Sequence, residues 1–405
     1  MISSSSLKEL SQLRVAIVHY WFVGRAGGER VVEALAELFP HADLFALIAE
    51  QSKLAPILQK RQLTTSFLQH VPGARRFHRH FLFLHPMALE QFDLSSYDLV
   101  ISSESGPAKG VITTPKTCHV CYCHSPMRYI WDLYPRYRRS MNPVVGAIFS
   151  LTAHYLRLWD YASAARVDHF VANSHFVSSR IKKFYGRESA VIYPPVDAAA
   201  GSLLYSKGDY YLAVGRLVDY KRFDLAVLAC TQLGRHLKVI GSGPELKRLR
   251  RIAGPTIEFL SAVSDEDLRK YMAHCRALLF PGEEDFGIVP VEVQSCGRPV
   301  IAYASGGVLE TVRGVFPGEP LSRESTGIFF GEQTPSYLAD AILRFEALES
   351  DFDHEAIRKH SLDFDRTRFK MQFSEFIATV LHDFQNRRLP CGTEAQAKSV
   401  AEAHE

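Results

Sequence analysis

The sequence lacks the features that mark several large classes of protein. No stretch approaches about 18 consecutive apolar residues, so no membrane-spanning helix is predicted. The seven cysteines are odd in number and scattered, which favours reduced thiols over a disulfide framework. A formal net charge of +3 over 405 residues is too small to indicate a nucleic-acid partner. Ordinary glycine and proline contents exclude collagen-like and low-complexity chains.

The two ends of the chain carry little information about function. Residues 1–12 are mostly polar and lack the basic start and apolar middle of a secretory signal, so we expect a cytoplasmic protein. Residues 386–405 are polar and follow the last amphipathic pattern, so we expect a disordered tail there.

Between these ends, short apolar runs alternate with amphipathic helical patterns in two series. This alternation predicts parallel α/β sheets, and the segment 193–207 (YPPVDAAAGSLLYSK) reads as a linker between the two series. We therefore predict two Rossmann-like domains, with ligands at the carboxyl ends of the strands. The predicted division is 1–198, 199–365, a helix over 366–385 and the tail 386–405, and we expect the helix over 366–385 to cross back to the N-terminal domain.

The most informative motif places two glutamates eight residues apart, at Glu284 and Glu292. Glu284 lies in the loop after a predicted strand, and Gly287 allows close approach of a ligand to the backbone. A helix starting near Gly287 turns its N-terminal amides toward an anion and separates the two carboxylates by roughly 8–12 Å. The alternative interpretation is a solvated loop acid followed by an acid on the surface of a helix.

A second motif follows the strand predicted at 210–214. Gly215 and Arg216 come first and Lys221 follows, so a planar guanidinium and a point charge lie where phosphate oxygens are expected. Gly241 follows the next strand. Leu246 stands where a nicotinamide fingerprint needs its third glycine, which disfavours hydride transfer.

Two further patterns resemble metal sites, but neither predicts a metal. The segment Cys118–His124 has no second Cys or His pair at zinc-finger spacing, and alternation along a buried strand explains it. The acids Asp265 and Asp267 follow Ser264 at the start of an amphipathic pattern, where helix capping is the better interpretation.

Together these motifs resemble the retaining glycosyltransferases of family 4, which have the GT-B fold, over roughly residues 13–384. The resemblance implies that Glu284 contacts the donor sugar, that Glu292 binds the nucleotide ribose, and that Arg216 and Lys221 hold the diphosphate. It also assigns a glycine-rich first loop at Gly27 and Gly28 to the ligand site. The full set of donor-binding candidates is Gly27, Gly28, Gly215, Arg216, Lys221, Gly241, Glu284, Phe286, Gly287, Ile288 and Glu292.

The segment after Cys123 is similar to that of a mannosyltransferase subgroup of the family, the WbaZ-like enzymes, which place a histidine beside the donor sugar. We predict His124, Arg216, Lys221 and Glu284 as catalytic residues. On the acceptor side, Arg128, Trp131 and Asp132 are candidates; a packed amphipathic helix is the alternative for them. The implied division of labour puts the acceptor on the N-terminal domain and the nucleotide sugar on the C-terminal domain.

The resemblance implies retaining transfer of a hexose, with mannose from GDP-mannose as the expected donor, to a lipid-linked saccharide in surface polysaccharide synthesis. No metal ion or other cofactor is expected. Two alternatives remain open: a GT-B-like epimerase or phosphorylase, and a non-catalytic scaffold that binds sugar nucleotides.

The net charge conceals two basic segments in the N-terminal half. Residues 75–81 contain Arg75, Arg76 and Arg79 with no acid, and residues 128–139 contain four arginines against one acid. Together these segments carry +6, which leaves −3 for the rest of the chain. Interleaved aromatics suit anionic lipid headgroups on the cytoplasmic face of the inner membrane, with ordinary solvated arginines as the alternative.

Overall fold

The computed structural model describes residues 13–24, 27–204, 208–261 and 263–386, without the side chains of residues 78–80. The side chain of Arg79 and residues 387–405 of the predicted tail therefore lie outside the described residues. No helix within the described ranges is both long enough and apolar enough to cross a membrane.

The first sheet has seven parallel strands in the order β3-β2-β1-β4-β5-β6-β7. Its central strands are buried on both faces, as expected when helices cover both sides of a parallel sheet. The strands are β1 (Val15–Phe22), β2 (Asp43–Ala49), β3 (Leu63–Thr65), β4 (Leu99–Glu104), β5 (Cys118–Cys123), β6 (His169–Ala172) and β7 (Ser189–Val191).

The second sheet also has seven parallel strands, in the order β10-β9-β8-β11-β12-β14-β13. In both sheets the strand order reverses beside the first strand of the series, which is where ligands bind in doubly wound folds. The strands are β8 (Tyr210–Val214), β9 (His236–Ile240), β10 (Ile257–Leu260), β11 (Leu278–Phe280), β12 (Val300–Tyr303), β13 (Gly314–Val315) and β14 (Gly327–Phe330).

Helices connect the strands and cover both sheets. In the N-terminal half they are Gly27–Leu38, Pro56–Gln59, Ala74–Phe77, His85–Glu90, Tyr134–Arg139, Pro143–Ala164 and His175–Tyr185. In the C-terminal half they are Phe223–Leu233, Leu246–Ile252, Asp265–His274, Ile288–Ser295, Val308–Thr311, Pro335–Leu348, His354–Ser361 and Arg366–Asn386.

The last helix, Arg366–Asn386, crosses back to the first domain, as predicted. Its apolar face, which includes Phe369, Phe373 and Ile377, joins the core that surrounds β1 and β4. Arg366 forms an ion pair with Glu37 at 2.9 Å, and Lys370 approaches the same carboxylate at 3.1 Å. These contacts hold the pKa of Glu37 below its usual value despite partial burial. The crossing helix thus ties the two domains together.

The two-domain α/β architecture is confirmed, and the strand predicted at 210–214 forms as β8 (Tyr210–Val214). The sequence analysis missed β2, β3, β13 and β14. β2 is an apolar run buried on both faces, and such a run has no strand periodicity to distinguish it from a buried helix. The predicted helix 366–385 is observed as Arg366–Asn386.

Candidate active site

The site is built where the carboxyl ends of the two sheets meet. Ser174, just after β6, donates its hydroxyl hydrogen bond to the carbonyl oxygen of Asp285 in the loop after β11, at 2.6 Å. Arg30, in the helix after β1, forms an ion pair with Glu292 of the second domain. Loops that follow strands of different sheets are therefore in direct contact.

Glu284 and Lys221 form an ion pair at this junction. The Lys221 Nζ lies 2.7 Å from Glu284 Oε1, although the two residues come from different strand-end loops. Burial acts to lower the pKa of Lys221. The charge and the hydrogen bond of the Glu284 carboxylate together act in the opposite direction and outweigh burial, so the pKa lies above its usual value. Lys221 therefore stays positively charged at neutral pH, as a contact for phosphate requires.

The backbone at Gly287 turns the chain from this loop into the helix Ile288–Ser295, called the motif helix below. Gly287 has φ of 93°, a conformation that is costly for residues with a side chain, and it occupies the N-cap position. Glu292 sits in the middle of the motif helix and pairs with Arg30. The predicted helix start near Gly287 is observed.

A glycine pair in the loop Ser305–Gly307 places Glu284. The backbone N–H of Gly307 donates to the Glu284 carbonyl oxygen at 2.9 Å, and Gly306 forms a β-bridge with Glu284. The neighbouring acid Glu283 accepts a hydrogen bond from the Ser305 hydroxyl at 2.7 Å. The acid-bearing loop is thus held by backbone contacts from the loop after β12.

On the opposite side, the first turn of the helix Gly27–Leu38, where a loop was expected, packs directly against the motif helix. A Cβ atom at Gly27 would lie 2.7 Å from Ile288 Cδ1, so a side chain there would force the Ile288 side chain to move. A Cβ atom at Gly28 would lie 2.8 Å from the Tyr20 hydroxyl and 3.6 Å from His124 Nε2. The glycine pair therefore brings His124 and the Glu284–Glu292 motif to the same place.

His124 follows β5 and is oriented by Ser103 at the end of β4. Its Nε2 lies 2.9 Å from the Ser103 hydroxyl. Burial, with repulsion from His19, lowers the pKa of His124 to about 3, so the imidazole is neutral at physiological pH. A neutral imidazole can offer a hydrogen bond to a sugar hydroxyl but supplies no fixed positive charge.

Unlike Lys221, the basic residue Arg216 is exposed and has no ion-pair partner among the described residues. The neighbouring Gly215 packs under the Lys221 ammonium, and a Cβ atom at Gly215 would lie 3.2 Å from Lys221 Nζ. Gly241 packs on the Gly215 carbonyl. Arg216 is therefore free to approach an incoming ligand at the end of β8.

The acceptor-side candidates separate into two groups. Arg128 lies 3.3 Å from Asp132 and the same distance from Glu283 of the other domain, so both candidates belong to a network between the domains. Arg180, a buried arginine that the sequence analysis missed, completes this network through Asp132 at 2.9 Å and through Asp285.

Trp131, by contrast, is anchored inside the N-terminal domain. Its indole N–H donates to Asp160 at 2.7 Å, and its ring stacks on Phe184. Asp160 also accepts from the Tyr185 hydroxyl and pairs with the fully buried Lys109. Trp131 therefore has a structural anchor that Arg128 and Asp132 lack.

The segments that imitated metal sites have structural roles. Side chains of β5 alternate between two cores, Cys118 and Tyr122 on one side and Cys121 and Cys123 on the other. Ser264 caps the helix Asp265–His274 by accepting from the Asp267 N–H at 3.0 Å. Residues 13–386, in their described parts, contain no group of three or more His, Cys, Asp or Glu suited to a metal ion.

Two residues at this junction were missed by the sequence analysis. Glu310 accepts hydrogen bonds from the backbone N–H groups of His175 and Phe176 at 2.8 and 2.9 Å and so caps a helix of the other domain. Arg30 lies two residues after Gly28, and that closeness to the predicted glycine-rich segment was the available signal.

Two family models match the chain, one for each half. "Glycosyltransferase Family 4" matches residues 25–200 and "Glycosyl transferases group 1" matches residues 197–360. Together with the two parallel sheets, these matches indicate a GT-B fold and a similarity to the glycosyltransferases of family 4.

Curated relatives are similar to the chain at modest identity. An uncharacterized glycosyltransferase of Methanocaldococcus jannaschii is 27% identical over 51% of this chain and 56% of its own length. The alpha-1,3/1,6-mannosyltransferase ALG2 of Saccharomyces cerevisiae is 26% identical over 52% of each chain. A GDP-mannose-dependent phosphatidylinositol monomannoside mannosyltransferase of Mycolicibacterium smegmatis is 32% identical over 27% of this chain and 34% of its own. The chain thus spans about half the length of the first two relatives.

Solved structures share the fold at low identity. Sucrose-phosphate synthase of Thermosynechococcus elongatus has a TM-score of 0.68 at 17% identity, covering 91% of this chain and 100% of its own. Anabaena HepE in complex with UDP and glucose has a TM-score of 0.66 at 15% identity, with the same coverage.

Proposed function

We propose that this protein is a retaining glycosyltransferase that moves a hexose, mannose from GDP-mannose, to a lipid-linked saccharide during synthesis of a surface polysaccharide. One observation carries the proposal. Gly27 and Gly28, at the start of a helix, pack between His124 and the motif helix, and the loop that leads into the motif helix carries Glu284 in its pair with Lys221. A sugar between the domains would thus meet a neutral imidazole on one side and a carboxylate on the other.

The charges fit a nucleotide-sugar donor. Arg216 and Lys221 follow β8, where phosphate oxygens would lie, and the N-terminal amides of the motif helix add a favourable dipole. In the proposed reaction these groups stabilise the leaving diphosphate in place of a metal ion. Glu284 would bind sugar hydroxyls and Glu292 the ribose.

The proposed reaction needs no protein nucleophile. The bond between the anomeric carbon and the diphosphate oxygen breaks, and the acceptor hydroxyl oxygen bonds to the same face of that carbon. The proton of the acceptor hydroxyl passes to the departing diphosphate. Mannose is the favoured sugar because two curated relatives, ALG2 and the mycobacterial enzyme, are named as mannosyltransferases.

A panel of nucleotide sugars tests the donor assignment. Because a ligand that binds only the folded state raises its apparent stability, GDP-mannose should give the largest thermal shift of the panel. A larger shift with a UDP-sugar would contradict the GDP-mannose assignment while leaving transfer intact.

Product analysis tests the reaction class. NMR of the new anomeric linkage should show an α-linked product from the α-linked donor, and a β-linked product would overturn retention. Epimerisation or phosphorolysis of the donor without acceptor would favour the alternative GT-B chemistries.

A further inference from the structure

The longest helix of the N-terminal domain, Pro143–Ala164, turns an apolar face to solvent. The exposed side chains lie at spacings of three and four residues, which places them on one face of the helix. They are Val144, Ile148, Leu151, Tyr155, Leu158 and Tyr161, and Leu151 is 75% exposed. We call these six residues the apolar helix face.

Neither Asp160 nor Arg157 of this helix lies on the apolar helix face, and the exposed His154 is the ionisable residue that stands among its side chains. Asp160 is fully buried against Lys109, and Arg157 points inward, with its guanidinium donating to the Ile130 carbonyl oxygen at 2.5 Å and lying over the Tyr134 ring. Six exposed apolar side chains on one helix face carry an unfavourable free energy of hydration, so we expect another surface to cover them.

The sequence segments around the apolar helix face are rich in arginine. Residues 65–89 and 133–159 together contain seven arginines and no aspartate or glutamate, although Arg157 is turned inward and Arg136 pairs with Asp219 of the second domain. Arg138 lies along the first turns of the helix, where its Nε is 3.2 Å from the Ser150 hydroxyl, and Arg139 is exposed. The segment His78–Leu84 packs against the helix, and the exposed Arg76 and Phe77 directly precede that segment in the chain.

We propose that the apolar helix face inserts into the surface of an anionic lipid bilayer, with the helix lying in the membrane plane. A basic border suits anionic headgroups, and tyrosines such as Tyr155 and Tyr161 suit the boundary between headgroups and acyl chains. Pairing with a second copy of this chain through the same face would bring two arginine borders together, so repulsion disfavours it. The proposed orientation is parallel to the membrane surface, because no helix in the described ranges is long and apolar enough to cross a bilayer.

This surface is separate from the donor site, and its test does not require sugar transfer. Sedimentation with vesicles measures binding to phosphatidylcholine alone and to phosphatidylcholine with about one-third phosphatidylglycerol. The chain should bind the anionic vesicles more tightly. The double substitution Leu151→Glu/Leu158→Glu should lower that partition coefficient at least about tenfold, because two apolar anchors become charged.

Two controls separate insertion from damage to the fold. Leu343→Glu/Met371→Glu changes side chains that are 46% and 51% exposed elsewhere, and binding should stay at the wild-type level. Unchanged thermal unfolding of both double variants shows that the fold survives. Neutralising Arg76 and Arg139 should weaken anionic binding by on the order of fivefold each.

Three results would overturn the proposal. The first is wild-type protein that stays in the supernatant when anionic vesicles sediment. The second is a Leu151→Glu/Leu158→Glu variant that binds these vesicles as tightly as wild type does. The third is a wild-type dimer that this double variant converts to monomer without loss of vesicle binding. None of these results affects the conclusion about donor binding, because the thermal shift with nucleotide sugars measures donor binding without membranes.

Discussion

The two sheet edges that face each other use different chemistry. The C-terminal edge holds its functional side chains in ion pairs, such as Lys221 with Glu284, and on backbone turns such as Gly287. The N-terminal edge presents His124, whose burial lowers its pKa to about 3, beside the uncharged Ser103, while Arg30 on the same edge is paired with Glu292 of the other domain. The Lys221–Glu284 pair, called the charged edge below, suits a diphosphate, and the uncharged His124–Ser103 pair, called the neutral edge, suits sugar hydroxyls. We therefore expect changes on the two edges to affect different steps.

The largest expected effect comes from the charged edge. Glu284→Gln removes the carboxylate proposed to contact the donor sugar and leaves the Lys221 ammonium without its counterion. We expect kcat for transfer to fall by about 1,000-fold, measured with radiolabelled donor. Glu266→Gln, on a surface helix with an exposed pair to Lys270, is the matched control and should be neutral. A non-catalytic scaffold would instead show no transfer in either protein.

On the neutral edge, His124→Asn should lower kcat by about 100-fold through loss of a positioned hydrogen bond. Donor affinity should change by less than about threefold, because the phosphate contacts lie on the other edge. Isothermal titration separates the two quantities, with the exposed His236→Asn as control. If His124→Asn lowered donor affinity by the same factor as kcat, the proposal that the two edges act on different steps would be wrong.

A third prediction concerns His119, which is fully buried below the same neutral edge and lies 2.9 Å from the Ser102 hydroxyl. Burial lowers its pKa to about 3, while an unfolded histidine titrates near 6.5. Below about pH 6.5 the unfolded chain therefore binds a proton that the folded chain does not bind. The free energy of unfolding consequently decreases as the pH is lowered. Between about pH 7.5 and 5.0 this group should cost about 2 kcal/mol.

Urea unfolding of wild type and His119→Gln at the two pH values measures this cost. The variant should lose about 2 kcal/mol less than wild type over the interval. Equal losses would show that His119 is not held neutral by the fold.

The smallest expected effect lies at the junction of the two edges. Glu310 of the second domain caps the helix His175–Tyr185 of the first through two backbone N–H groups. Glu310→Gln keeps one acceptor oxygen but removes the charge from the helix N-terminus, so we expect a loss of about 1 kcal/mol in the free energy of unfolding.

Urea denaturation checks the Glu310→Gln prediction. Glu324→Gln is the control, because its pair with Arg313 is largely exposed. An unchanged midpoint for Glu310→Gln would mean that this contact does not couple the domains.

Local patterns determined much of the fold and part of the site. The alternation of apolar runs with amphipathic segments predicted most strands, because strand and helix periodicities are set by the backbone itself. Glu284, Gly287 and Lys221 were found because functional side chains on such sheets follow the strands directly. Ser264 was identified as a cap from its position alone, and the structure confirms that hydrogen bond.

Only the tertiary structure decided which residues meet across the chain. Arg30 and Glu292 are 262 positions apart, and their pairing depends on how two separately folded sheets dock. The same holds for Arg180, whose partners lie on a distant segment. For the helix Arg366–Asn386 the crossing to the N-terminal domain was predicted, but the core residues that its apolar face contacts are known only from the structure. The exposure of the apolar face of the helix Pro143–Ala164 is also known only from the tertiary structure. An apolar pattern in the sequence predicts that a helix face is covered but does not identify the surface that covers it.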